Sequence, residues 1–93
     1  MSALDSGPAF EALADSTRRT ILSVLATRGE LPAGAIAAEV AHVGRTSISS
    51  HLRILRSAGL INERRDGRFR MYSVDGDSVH GVVRFLDGLY RAP

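Results

Sequence analysis

Ser49, Ser50 and His51 stand next to one another and supply the hydroxyls and imidazole that nucleophilic chemistry would use. Their adjacency works against that chemistry. A nucleophile needs its base within hydrogen-bond reach and a third group to orient the base, and no such group is evident in the sequence. A Gly-rich phosphate loop, a carboxylate dyad and a conventional metal triad are missing too, so no enzyme is expected. His80 with Asp75 or Asp77 offers at most a weak nitrogen–oxygen metal site across a dimer. The plainer reading is an exposed histidine on the first turn of a helix, and neither metal nor cofactor is expected.

The arginines point to different chemistry. All 12 basic residues are arginine, which keeps its charge and forks onto phosphates and guanines better than lysine does. An arginine-only, alanine-rich chain can also reflect genome composition. Position is more informative: seven arginines (45, 53, 56, 64, 65, 68 and 70) lie between Arg45 and Arg70 against Glu63 and Asp66, a balance of +5. The remainder carries five arginines and eight acids, a balance of −3. A basic stretch on an otherwise acidic domain is the footprint of a polyanion-binding face, or else a solvated arginine-rich surface.

With 93 residues the chain is expected to form one domain over 1–93. A chain this short buries only about 60–65% of its unfolded surface, which leaves it marginally stable. Having no cysteine, it cannot draw on disulfides, thiolate zinc or iron–sulfur clusters, so a second copy is the expected extra support. No apolar run approaches the roughly 18–20 residues of a membrane helix, and the acidic N-terminus is unlike a signal peptide. A cytoplasmic protein without a membrane partner is expected.

The elements that would position the arginines can be read from turn residues and periodicity. Residues 1–7 read as a loose arm. Pro8 precedes a short helix with Phe10, Leu13 and Ala14 at i, i+3 and i+4, and Asp15 or Ser16 caps a second helix to about Arg28, buried through Ile21, Leu22 and Leu25. Helices therefore occupy 9–28. Pro32 is expected to open a third helix with Ile36, Ala37 and Val40 inward, which the run 41–44 breaks. A fourth helix from Arg45 to Ser57 buries Ile48, Leu52 and Leu55 and closes at Gly59, so that 32–57 reads as helix-turn-helix. The period then changes. Over 60–74, two strand-like runs flank Asp66-Gly67, a two-residue hairpin signal, and Arg64, Arg65, Arg68 and Arg70 leave little apolar surface around its tip. The hairpin should project as an arginine-tipped wing. From 77 to 90 Val79, Val82, Val83, Leu86, Leu89 and Tyr90 recur at helical spacing, a stripe too broad for the remaining monomer core. The expected fold is mainly α with a small β-hairpin, a winged helix-turn-helix of about five helices plus a two-stranded wing. Helices 9–28 and 77–90 are expected to contribute to a homodimer through Phe10, Leu13, Val79, Val82, Val83, Leu86 and Leu89.

Over about residues 9–87 the sequence resembles the ArsR/SmtB-type winged-helix repressors of bacteria. Leu13-Ala14-Asp15-Ser16-Thr17-Arg18-Arg19-Thr20-Ile21-Leu22 is similar to that family's L-x-D-P-T-R-x-x-I-L opening. Ser47-Ile48-Ser49-Ser50-His51-Leu52-Arg53-Ile54-Leu55-Arg56-Ser57-Ala58-Gly59-Leu60 resembles its recognition-helix signature, V-S-x-H-L-x-x-L-x-x-A-G-L. Arg65-Asp66-Gly67-Arg68 with Tyr72-Ser73-Val74 is similar to the wing pattern R-x-G-R…Y-x-L. The resemblance implies a homodimer that occupies an inverted-repeat operator and represses, often autogenously, with a metal or other inducer releasing the DNA in many members. The metal motifs depart from it. Where such sensors carry E-L-C-x-C the chain reads Glu30-Leu31-Pro32-Ala33-Gly34, and where they carry D-x-H its Asp77 and His80 are one residue too far apart, with Arg91 in place of the partner histidine. Regulation without a small ligand, or through a partner protein, fits better.

On that reading the fourth helix presents Arg45, Thr46, Ser47 and Ser50 to base edges in the major groove of double-stranded DNA, the alternative being a polar, capped helix face. Ser49 and Arg53 are expected at phosphates, which fix register without reading sequence. Arg56 lies where it can pair with a carboxylate instead. Arg65, Arg68 and Arg70 should reach flanking phosphates or the minor groove, with Arg65 and Arg68 nearest the tip. His51, beside Leu52 on the buried edge, reads as packed or phosphate-contacting. The expected function is a sequence-specific, dimeric transcriptional (auto)repressor. An effector- or metal-gated sensor and a winged-helix protein-interaction module remain the alternatives.

Overall fold

Asp15 ends one helix and starts the next: its side chain accepts the backbone N–H of Arg18 at 3.0 Å, satisfying a donor that lacks a helical partner. The computed structural model describes residues 7–40 and 42–91. Its elements are α1 (Gly7–Leu13), α2 (Ser16–Arg28), β1 (Leu31–Pro32), α3 (Ala33–Glu39), α4 (Arg45–Ser57), β2 (Ile61–Asp66), β3 (Phe69–Val74) and α5 (Gly76–Arg91). Most of the arm expected over 1–7 lies outside the described residues, as does Ala41 of the break between α3 and α4. Gly7, however, belongs to α1, with Pro8 in the first turn, where a missing N–H breaks no helical bond.

α1 packs through small residues. Ala9 and Ala12 are fully buried, Leu13 is half-buried, and Phe10 and Ala14 are exposed. α2 buries Ile21 and Leu25 and ends at Gly29, whose positive φ of 85° suits only glycine at low cost. α4 ends in a Schellman motif: Leu60 N–H donates to Leu55 O and Gly59 N–H to Arg56 O, both at 3.0 Å, with Gly59 at φ 80°. The hydrophobic contact that accompanies such a cap is supplied by Leu55 and Leu60 themselves, members of one core cluster with Ile21, Leu25, Ile36, Val40, Ile48, Leu52, Ile61 and Tyr72. Each fully buried aliphatic side chain contributes about 1.5–3 kcal/mol. This cluster fixes α4 against α2 and α3, so the outer face of α4 is held on a packed base.

Two features of the wing go beyond the sequence pattern. First, a third strand joins the expected two-stranded hairpin of β2 and β3: Leu31 and Pro32 pair with Tyr72 and Met71, giving the order β1-β3-β2. Proline holds the residue before it extended, which keeps Leu31 in a strand, and Pro32 opens α3 as its N-cap rather than from within its first turn. Second, the hairpin turn is Gly67-Arg68, not Asp66-Gly67, since Asp66 pairs with Phe69. Gly67 alone has positive φ (62°), the signature of a turn with glycine at its first central position. A one-residue slip exchanges the faces of a strand, so this register decides which arginines share a side.

The base of the wing is tied to the end of α4 by the Asp75 N–H, which donates to Leu60 O at 2.9 Å. α5 then leaves the sheet. Val79 and Val82 of its first half line an apolar cavity with Leu22 of α2, its only buried residue is Gly81, and Val83, Phe85, Leu86, Leu89 and Tyr90 are exposed, Tyr90 to 90%.

Candidate nucleic-acid interface

The inward stripe Ile48–Leu52–Leu55 dictates what α4 presents outward. Arg45, Thr46, Ser47, Ser49 and Arg53 are exposed and Ser50 is half-buried at the edge of the stripe. Gly44 caps α4 without a side-chain bond, so the first N–H groups of the helix carry no side-chain cap beside these hydroxyls. Arg45 lies along the start of α3: a Cβ at Gly34 would stand 3.4 Å from its Nη2.

Between α4 and the wing runs a groove of about 550 Å3 whose walls include Arg45 and Ser49 on one side and Arg68, Phe69, Arg70 and Tyr72 on the other. A second groove, of about 230 Å3, continues it past Ser49, Arg53 and Arg70. The helix and the wing therefore share one concave, cationic surface. Phe69 forms part of its wall while 58% exposed. Phe69 is not among the residues expected at this surface, although an aromatic side chain between Arg68 and Arg70 in the wing is a signal the sequence carries.

Geometry sorts the arginines. Arg64 makes a fork onto Glu30, Nε at 2.8 Å and Nη2 at 2.6 Å, which ties the wing to the start of β1. Arg64's hydrogen bond holds the Glu30 carboxyl below its usual range, and the same bond pushes the Arg64 guanidinium up. Arg56 bonds Glu63 at 3.1 Å. Glu63 is also the cross-strand partner of Tyr72, whose hydroxyl is pushed up first by burial and then by the neighbouring Glu63 carboxylate. Arg45, Arg53, Arg65, Arg68 and Arg70 have no carboxylate of a described residue within 4.0 Å. All five were among the expected contact residues, whereas the wing's Arg64 is committed to the fold.

The residues expected at a dimer contact divide. Val83, Leu86 and Leu89 lie exposed along α5, and Phe10 meets Phe85 edge-on with ring centres 5.6 Å apart. Leu13, Val79 and Val82 are half-buried, lining with Leu22, Leu60 and Val74 an apolar cavity of about 280 Å3 between α2 and α5. Asp77 and His80 are exposed on α5, and among the described residues no three His, Cys, Asp or Glu side chains form a group able to hold a metal. No described helix is long and apolar enough to cross a membrane.

The order of helix-turn-helix, then hairpin, is matched among known proteins. A helix-turn-helix domain family matches residues 13–64, from the end of α1 into β2. The transcriptional repressor SdpR of Bacillus subtilis is 39% identical over 82 residues, covering 84% of this chain and 89% of that protein. The chain belongs to the ArsR/SmtB-type transcriptional regulators. Among solved structures, a possible transcriptional regulator for arsenical resistance superposes with a TM-score of 0.77 at 36% identity, over 91% of this chain and 86% of its own. A homodimeric winged helix-turn-helix DNA-binding domain from Mycobacterium bovis, a possible ArsR-family regulator, gives 0.71 at 31% identity, over 89% and 75%. ArsR/SmtB-type proteins are transcriptional regulators rather than enzymes, and Ser49, Ser50 and His51 lie on α4, within the matched helix-turn-helix.

Proposed function

We propose that the protein is a homodimeric transcriptional repressor that binds an inverted-repeat operator in double-stranded DNA, its own promoter among the candidates. The observation that carries this is the groove shared by α4 and β3, whose walls include Arg45 on one side and Arg68 and Arg70 on the other. α4 enters the major groove, with Arg45, Thr46, Ser47 and Ser50 toward base edges and Ser49 and Arg53 on phosphates. The wing carries Arg65, Arg68 and Arg70 to the flanking backbone. The exposed apolar face of α5, with Phe10 beside Phe85, supplies the contact between two copies. Fluorescence anisotropy on a duplex from the gene's own upstream region, against scrambled DNA across a salt series, tests this. Tight upstream binding with a steep salt slope is expected; equally weak binding to both duplexes sinks autoregulation and directs the search to a partner protein.

A second reading, gating by a small apolar effector, is favoured by the cavity lined by Leu13, Leu22, Val79 and Val82. Ligand-dependent release of DNA is its signature.

A further inference from the structure

Three parts of the fold meet at His51, and the DNA-facing surface leaves that junction unused. His51 belongs to α4, and its side chain, 19% exposed, lies against the corner between α1 and α2. The Arg18 guanidinium fastens that corner. Its Nε–H donates to Ala12 O at 2.8 Å and its Nη2 to Glu11 O at 3.1 Å, carbonyls near the end of α1 where helical donors run out. Its Nη1 lies 3.4 Å from Nδ1 of His51, 33 residues further along the chain. Oδ2 of Asp15, the atom that caps α2, lies 3.9 Å from the same Nδ1.

The two neighbours make opposite demands on one nitrogen. A guanidinium only donates, so it requires a lone pair on Nδ1 and places the ring proton on Nε2. An ionised carboxylate only accepts, so it requires an Nδ1–H. Asp15 stays ionised near neutrality because the Arg18 backbone N–H holds its carboxyl below the usual range. The shorter contact is the one to Arg18, at 3.4 Å against 3.9 Å to Asp15. Glu11 and Arg53 line the adjoining groove with Arg18, and at the same corner the Arg19 Nη1–H donates to Leu13 O at 2.8 Å.

We infer that Arg18 and His51 are positioning residues for DNA recognition: their contact sets the placement of α4 against α1, and a proton on His51 breaks it in favour of Asp15. This rests on the DNA-binding reading above. Ser47 and Ser50 share a helix with His51, so a shift of α4 at this joint moves the groups proposed to face base edges. A proton on His51 also adds positive charge, which strengthens binding to any duplex. The informative quantity is therefore the ratio of specific to scrambled affinity, not affinity itself.

The test compares wild type, His51→Asn, His51→Ala and Arg18→Gln on a duplex that the wild type selects from a randomised pool and on its scrambled counterpart. Anisotropy is read at pH ~7.5 and ~5.5, which bracket histidine titration, and nitrogen NMR of labelled histidine reads the ring tautomer. The Asn amide oxygen can stand where Nδ1 stands and does not titrate. The wild-type ratio should fall several-fold on acidification, with an Nε2–H tautomer at the higher pH. His51→Asn should keep the higher-pH ratio and lose the pH response. His51→Ala and Arg18→Gln should lose about tenfold in the ratio at pH ~7.5, the scale of one hydrogen bond to a charged group. The result does not depend on Arg18→Gln folding, because His51→Asn carries the comparison. An identical pH response in wild type and His51→Asn, or an Nδ1–H tautomer at the higher pH, overturns the inference alone. Failure of the wild type to enrich any duplex overturns the DNA-binding reading and the positioning role with it.

Discussion

Arg65 and Arg70 stand directly opposite each other across the wing, register partners of like charge with no carboxylate of a described residue within 4.0 Å of either. Such a pair destabilises a hairpin. A second arginine would not be placed there for the fold's sake, and a polyanion relieves the repulsion. Replacing Arg70 with Glu creates an opposite-charge pair, so the melting temperature should rise by about 1–5 °C. DNA affinity should fall at least about tenfold at low salt. Calorimetry and anisotropy on the same preparation check both; a lower melting temperature would show that the repulsion is not felt.

In the proposed complex Arg53 meets phosphate and Ser50 meets a base edge. Arg53→Ala should weaken binding to every duplex and reduce the salt slope by about one. Ser50→Ala should reorder sequence preference with the slope unchanged. Equal effects of both variants on specific and scrambled DNA would remove the distinction.

Leu86 and Leu89 lie on the exposed face of α5, outside the core cluster. Leu86→Glu combined with Leu89→Glu should leave the helical signal intact while sedimentation shows a single copy. Affinity for an inverted repeat should drop by about 10²–10⁴ as the gain from two linked half-sites is lost.

Leu55 is fully buried and serves both the core and the cap of α4. Leu55→Ala should cost about 2–5 kcal/mol, a large part of a stability of about 5–15 kcal/mol. Urea unfolding measures it.

Glu30 fastens the wing through Arg64, and its carboxyl is held below the ordinary 4.5 chiefly by that hydrogen bond. A carboxyl lowered in the folded state adds stability above its ordinary value and loses it as pH falls through the lowered one. Glu30→Gln should therefore melt below wild type near neutrality, with the difference closing in acid. Thermal unfolding across pH reads this directly, and a pH-independent difference would point to lost packing instead.

α2 and α4 were legible in the sequence because their signals are local. Asp15 at the cap, Gly29 and Gly59 at the ends and the 3.6-residue stripe all fall within one or two turns. β1 was not, since two residues carry no period and Pro32 reads equally well as a helix start. The wing's register failed by one residue because Asp66-Gly67 and Gly67-Arg68 are both acceptable two-residue turns, and pairing decides between them. In the candidate site, the outward face of α4 followed from its inward one. That Arg64 is occupied did not, because its partner Glu30 lies 34 positions earlier and meets it only through the pairing of β1 with β3 and of β3 with β2.

A helix that leaves Val83, Leu86, Leu89 and Tyr90 uncovered on its own chain makes folding and assembly draw on one free energy. Where the free protomer predominates, the population of an assembled pair rises with the square of protomer concentration, so doubling the copies multiplies pairs about fourfold. A repressor of its own gene built this way would respond to abundance through a threshold rather than in proportion, and the steepness of that threshold would be set by the greasy outer face of its last helix.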